Sequence, residues 1–376
     1  MNKENLIRII KNTVSVIVMI ALFIIIFYQN RDRDIFKFGK DESASVIEEY
    51  NDTFLSPSYT NGQIGSVGNF VAYLTTSSLK VLDENAQGET VSMALSEPML
   101  HTEGEYAVCY SKDSYEAYVY KLGNESFSIS VKNKILRAKV NKNGYLFVAT
   151  EKEGYNCECV VYNRSGEAIF KWDISKSEFL DGDVNNSNNA IAISVATAGK
   201  NKLLGETLLI DITEAEVIHR NTLESQLLFS LDFNKNDTFT ALGNKNMVYF
   251  NADGTKKWEY SFEGKTLIKA DISDPDMAVL AFSAPGSGIK GNSTDIKIIN
   301  RLGKVIGEKS FDSVADDVTT GENTIAIAFG KTVYMTDSDL KIKKELKSDA
   351  SVKKIALYSD NKHLFIIGNS GGKIIE

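Results

Sequence analysis

One stretch, "VYFNADGTKKWEYSF" from Val248 to Phe262, reads as a strand, a tight turn and a second strand. Altered copies stand elsewhere, "VVYNRSGEAIFKWDI" from Val160 and "IINRLGKVIGEKSF" from Ile298. The turn that closes this hairpin begins near Asp83, Leu122, Asn163, Asp211, Asn251, Asn300 and Thr336. The mean spacing of these landmarks is roughly 42 residues, the length of a four-stranded repeat. A period held over that distance constrains the fold more than composition can. Each unit must bury a face against its neighbours.

The same strand order recurs inside each repeat. In the third, "ILRAKV" is followed by the turn "NKNG" and by "YLFVATE". A longer connection leads to "CECVVYN", then "RSG", then "EAIFKWDI". These are strands a, b, c and d, with a innermost. Alternating runs bounded by Gly, Asn, Asp and Ser are the signature of strands and turns. The last segment, "SVKKIALYSDNKHLFIIGNSGGKIIE", supplies a, b and c and stops at Glu376. A missing fourth strand would leave an open edge, which is a liability. The segment "SASVIEEYNDTF", ahead of the first repeat, is the natural donor. The expected fold is all-β, an eight-bladed β-propeller over 51–376, closed by the N-terminal segment. Seven blades with a trailing tail is the alternative.

The amino terminus has a different character. "TVSVIVMIALFIIIFY", Thr13 to Tyr28, carries no charge. As a helix it spans about 24 Å at 1.5 Å per residue. With its polar flanks it approaches the hydrocarbon thickness of a bilayer. No small-residue cleavage site follows the run, so an uncleaved signal anchor over 13–30 is expected rather than a signal peptide. Lys3, Arg8 and Lys11 precede it, whereas Arg31 and Arg33 are matched by Asp32 and Asp34. This bias predicts a cytoplasmic tail over 1–12, a single-pass protein of the cell membrane, and an extracytoplasmic body. Residues 31–50 then form a linker and ring-closing strand.

A formal net charge of −8 argues against nucleic-acid binding, which needs clustered Lys and Arg. Three cysteines, Cys109, Cys157 and Cys159, make no disulfide framework. Buried thiols are expected, and pairing of Cys109 with Cys157 or Cys159 stays open.

Catalytic signatures are missing. His101, His219 and His363 fall in different repeats: strand a of blade two, strand d of blade four, and the start of strand b of blade eight. No zinc spacing links them. "APGSGIKGNSTD" lacks the order of a phosphate-binding loop and the helix that must follow it. "DISDPDM" (Asp271, Asp274, Asp276) and "LDGDVNNSNN" (Asp181, Asp183) lack the calcium-ligand series, and turn capping accounts for them. No catalytic residue, metal ligand or cofactor is therefore assigned.

The loops differ between faces. The a–b turns are short, and so are most c–d turns. The long connections are b–c, "ATAGKNKLLGET" in blade four and "SAPGSGIKGNST" in blade six. In an a-b-c-d blade the b–c and d–a connections share a face, and elaboration of one face of a repeat array marks a binding face. Tyr115, Tyr155, Lys200, Lys202, Leu203, Leu204 and Lys290 are its candidate contacts.

Gly254 and Trp258, four residues apart, resemble the blade motif of propellers related to the quinoprotein dehydrogenases. Trp172 lies six residues after Gly166, and Gly307 replaces the tryptophan in blade six. This resemblance implies fold rather than chemistry, with Trp172 and Trp258 packing between blades. The last repeat resembles a WD40 unit without its Trp-Asp ending. The whole layout resembles an uncharacterised single-pass membrane protein family of Gram-positive bacteria, domain of unknown function family 5711. The expected function is a non-enzymatic scaffold for a protein or envelope polymer, held to the membrane by its N-terminal helix. A cofactor-dependent sensor or enzyme of quinoprotein-like or propeller-hydrolase type is the alternative. Charged residues converging on the central channel would favour that alternative.

Overall fold

The computed structural model describes residues 63–198, 203–284, 293–368 and 371–376. The predicted tail, anchor and ring-closing strand lie outside the described residues. No helix among the described residues is long and apolar enough to cross a membrane. The chain from 63 onward folds into eight antiparallel sheets, seven of four strands and a last one of three. Strand order within each follows the chain, and each of the seven landmark turns joins a c strand to a d strand. Eight blades, not seven, are present.

Local chemistry explains the regularity of the c–d turns. Asp83, Asn163, Asp211, Asn300 and Asp337 each accept backbone N–H bonds from residues two to four positions later. Short polar side chains of this type offer the backbone a ready-made turn. Inside the strands the apolar residues are buried on both sheet faces, because each blade is sandwiched between two others. Blades four and five share a core of Leu209, Leu231, Phe239, Val248 and Phe250 among others. Blades three and four share one containing Phe147, Cys157, Cys159 and Ile193.

The tryptophans act between blades, as the motif implies. The Trp258 indole, on strand d of blade five, donates from Nε1 to the Arg301 carbonyl of blade six at 2.9 Å. Gly303 lies under that ring at φ +76°, and a Cβ there would stand 2.8 Å from the indole. Only glycine meets both demands without strain. Trp172 packs likewise on the core of blades three and four.

The ring closes between blade eight and blade one. Tyr73 and Val71 of blade one pack with Phe365, Ile367 and Ile374 of blade eight. The Ser66 hydroxyl donates to the Leu357 carbonyl at 3.3 Å, and the Lys354 ammonium to Gln63 Oε1 at 3.1 Å. The three cysteines are free and buried. Cys109 sits in the core of blades one and two, away from Cys157 and Cys159. Those two face each other at Sγ···Sγ 4.0 Å, as same-face residues of one strand must. The open question of a Cys109 disulfide is thus answered by separation into different cores.

Candidate functional site

Two regions of the ring carry side chains that packing alone does not require. The first is the face of the b–c and d–a connections across blades two to five. Tyr115 is 51% exposed in the b–c turn of blade two, and Tyr155 opens strand c of blade three with the Lys152 ammonium 5.0 Å above its ring. Leu203 is exposed at the start of strand c of blade four, and Leu204 beside it is half-buried. Lys200, Lys202 and Lys290 lie outside the described residues.

The long b–c connections are shorter than the sequence suggests. In blade four, strands b (Ala190–Ala198) and c (Leu203–Asp211) stay paired from Ala190↔Asp211 to Ala198↔Leu203. In blade six, pairing continues to Ala284↔Ser293. Most of the blade-four connection is therefore a continuation of the strand pairing. Small and polar residues in it do not block a ladder, because the backbone bonds are independent of side-chain type.

Two exposed apolar residues on this face were not evident from sequence, Leu136 and Phe229. Both lie in inner strands, and both are β-bulges. Strand a of blade three pairs Arg137 and Ile135 with successive residues of strand b, leaving Leu136 extra. Blade five does the same with Phe229, and blade four with Leu180. A bulge re-aims one side chain and breaks alternation locally. A strict period-two reading therefore places these residues on the wrong face. Neighbouring connections are tied together: Ile135 N–H donates to Ser114 O at 2.8 Å, and Ser225 N–H to Leu203 O at 2.8 Å. Tyr115, Leu136, Tyr155, Leu203 and Phe229 so belong to one surface.

The second region is the axis. The inner strands enclose a cavity of about 650 Å³ that reaches the a–b turns at Gly68, Gly104, Asn141 and Pro275. Glu103, Asp183, Asp232, Asp271, Asp317 and Lys354 are on its wall. Beside it Lys139, buried on strand a of blade three, binds Asp181 Oδ2 of blade four at 2.8 Å and Asp232 Oδ1 of blade five at 2.9 Å. It also donates to the Leu231 carbonyl. Arg137 Nε adds a 3.0 Å ion pair to Asp181. Burial alone would lower the Lys139 ammonium, but the two carboxylates outweigh it and hold it above its ordinary value. Asp232 feels burial as well, yet Lys139 keeps it below the usual carboxylate range.

Most of these acids have a structural task. Asp181 accepts the Leu231 N–H and Asp183 the Phe233 N–H, both on the next inner strand. Asp271 accepts the Thr320 N–H at 2.8 Å, and Asp317 the Ile355 N–H at 3.0 Å. The His101 ring accepts the Val140 N–H at 3.3 Å. Asp181 and Asp183 are thus strand residues joining blades, not the turn caps that the sequence suggested. Asp274 does cap its turn, accepting from Asp276 and Met277. The signal available in sequence was charge alternating inside apolar inner strands: "RAK", "DGD", "SLD", "KAD". His219 lies on outer strand d beneath Gly254, and His363 pairs with Asp360, so neither approaches the axis. Among the described residues no group of His, Cys, Asp and Glu is arranged to hold a metal ion.

Burial raises Glu103 from its ordinary value of 4.5 to about 7. Its folded form therefore binds a proton that the unfolded chain has lost. Stability should fall as pH rises from about 4.5 to about 7, and remain flat with respect to this group outside that window. Urea titrations at pH 5 and pH 7.5 should show a smaller difference for Glu103→Gln than for the wild type.

Comparison with solved structures finds the same fold on distant sequences. The C-terminal WD40 domain of Sif2 superposes with a TM-score of 0.57 at 13% identity, covering 90% of this chain and 99% of that one. Sqt1 of Saccharomyces cerevisiae gives 0.57 at 10% identity, over 83% and 94% of the two chains. BamB of Moraxella catarrhalis gives 0.51 at 11% identity, over 83% and 95%. No curated protein matches the sequence. A family model described as a family of unknown function, DUF5711, matches residues 42–376, and the chain belongs to that family.

Proposed function

We propose that this chain is a non-enzymatic scaffold, anchored in the membrane by residues 13–30, whose extracytoplasmic propeller binds a protein or envelope polymer through its b–c face. The observation that carries the reading is the row of exposed apolar side chains on that face, Tyr115, Leu136, Tyr155, Leu203 and Phe229, over consecutive blades. Tyrosine and phenylalanine give large contact area at low entropic cost, which suits them to recognition. The uncharged run before the propeller supports the anchor, and the basic excess ahead of it supports the orientation.

A photo-crosslinking residue placed at Phe229, at Tyr155 or, on the opposite face, at Leu302 tests the binding face in intact cells. The same protein or polymer should be captured from the first two positions and not from the third. Tyr115→Asp should weaken that capture at least tenfold at unchanged thermal midpoint. Equal capture from Leu302 would refute the assignment. An impermeant thiol reagent on intact cells should label a cysteine put in place of Tyr155 and spare one put in place of Asn2. The reverse pattern would remove the extracytoplasmic placement.

A second reading has one observation in its favour. Charged residues do converge on the axis, as a cofactor-dependent sensor or enzyme would need. The scaffold reading is preferred because Lys139, Asp181, Asp183, Asp271 and Asp317 are already engaged in joining blades.

A further inference from the structure

The axial cavity has a polarity that joining the blades does not explain. All eight blades line it, and at about 650 Å³ it has the size of a small-molecule site. Its deeper charges are answered within the protein. Lys139 neutralises Asp232, and Lys269 and Lys354 act on Asp317. The mouth is different. The a–b turns around it carry six carboxylates and only three ammonium groups, so it attracts cations. Glu103 closes strand a of blade two (Pro98–Glu103), and Asp274 stands in the a–b turn of blade six; both are on the cavity wall. Among the described residues the Glu103 carboxylate accepts no hydrogen bond, although Lys139 and Lys142 act on it through space. Asp274 caps its turn through Oδ1. Blades two and six are four apart in a ring of eight, so the two carboxylates stand on opposite sides of the mouth.

We infer that the axial cavity binds an elongated organic polycation, a linear polyamine by chemical class, with its ammonium groups shared between Glu103 and Asp274. The separation of the two acids selects this class. An ion held at about 2.3–2.6 Å from its oxygens does not bridge opposite sides of such a space. A flexible chain with a positive group at each end does, and its methylenes meet the apolar wall of Leu100, Val184, Phe233 and Ile355. The site is independent of the reading of the b–c face, because its mouth is on the opposite face. Proton linkage follows from the same geometry. Burial, with Asp232 nearby, raises Glu103 to about 7. The groups facing it are His101 on its own strand, Lys139 and Lys142 of blade three, Asp183 of blade four and Asp232 of blade five. An incoming ammonium favours the ionised carboxylate, so binding near neutral pH expels a proton.

Calorimetry on the full-length chain at low salt tests this with spermidine, butylamine and Mg²⁺ as probes. Spermidine should bind at one site per chain, about tenfold or more tighter than either of the others, because it alone engages both acids. Its heat of binding should vary with the ionisation enthalpy of the buffer, reporting proton release, and its affinity should rise from pH 6 to pH 7.5. Glu103→Gln should weaken spermidine about tenfold and abolish the proton release. Asp274→Asn keeps an oxygen for the turn cap and should weaken binding about tenfold with the release retained, which decides the matter if Glu103→Gln fails to fold. Glu153→Gln, in the b–c turn of blade three, should change nothing. Mg²⁺ or butylamine binding as tightly as spermidine, equal weakening by Glu153→Gln, or wild-type affinity in the mouth variants would overturn the assignment. None of these results bears on capture at the b–c face, so the two readings fail separately.

Discussion

Lys139→Ala is expected to destabilise the protein by about 3–5 kcal/mol, the usual consequence of removing one partner from a buried ionic group. The residue is buried on an inner strand and neutralises carboxylates from two other blades. Without it Asp181, itself 1% exposed, keeps only Arg137 as a countercharge. The loss should appear as a lower urea midpoint. The combined variant Lys139→Met, Asp181→Asn, Asp232→Asn removes the charges together and should recover more than half of the loss. If the single variant costs under about 1 kcal/mol, the ammonium is not the hub of the axis.

Phe239→Ala should cost a similar amount, about 3–5 kcal/mol, for a different reason. The ring is fully buried on strand b of blade five, stacked on Phe250 at 4.5 Å and edge-on to Phe233 at 5.3 Å. Its core also takes in Ala192 and Leu209 of blade four. Small residues supplied by one blade and rings by the other cannot collapse into the space left by the ring. Phe239→Leu should recover most of the loss, because it refills much of that volume. Thermal and urea unfolding of the two variants would check the ranking.

The periodic part of the architecture was legible because turns are local. An Asp or Asn that caps its own turn does so wherever it stands, so counting from Asp83 to Thr336 placed the blades and their number. Trp258 was legible as a packing residue for a related reason, since it stands four residues after Gly254 in the blade motif. The axis was not legible in the same way. Asp181 and Asp183 lie next to a run of asparagines, and nearest-neighbour chemistry favours turn capping. Only assembly of the ring brings the Leu231 and Phe233 amides, on another repeat, within reach of them. Leu136 and Phe229 were hidden by bulges that shift alternation by one residue. Tyr115, Tyr155 and Leu203 were legible because connections between strands lie on the surface.

Hydrogen bonds from a backbone N–H on one inner strand to a side chain on another share one sense. Among the described residues the side-chain acceptor stands on the earlier blade and the N–H on the later one: His101 to Val140, Asp181 to Leu231, Asp271 to Thr320, Asp317 to Ile355. The junction of blades eight and one departs from this. There the first blade in space is the last in sequence, and a serine hydroxyl donating to a carbonyl takes the place of the carboxylate. A ring whose last and first blades meet through a contact of another kind has a seam. Unwinding of the molecule under load or heat would begin at that seam, where the two blades are not consecutive in sequence, and proceed blade by blade.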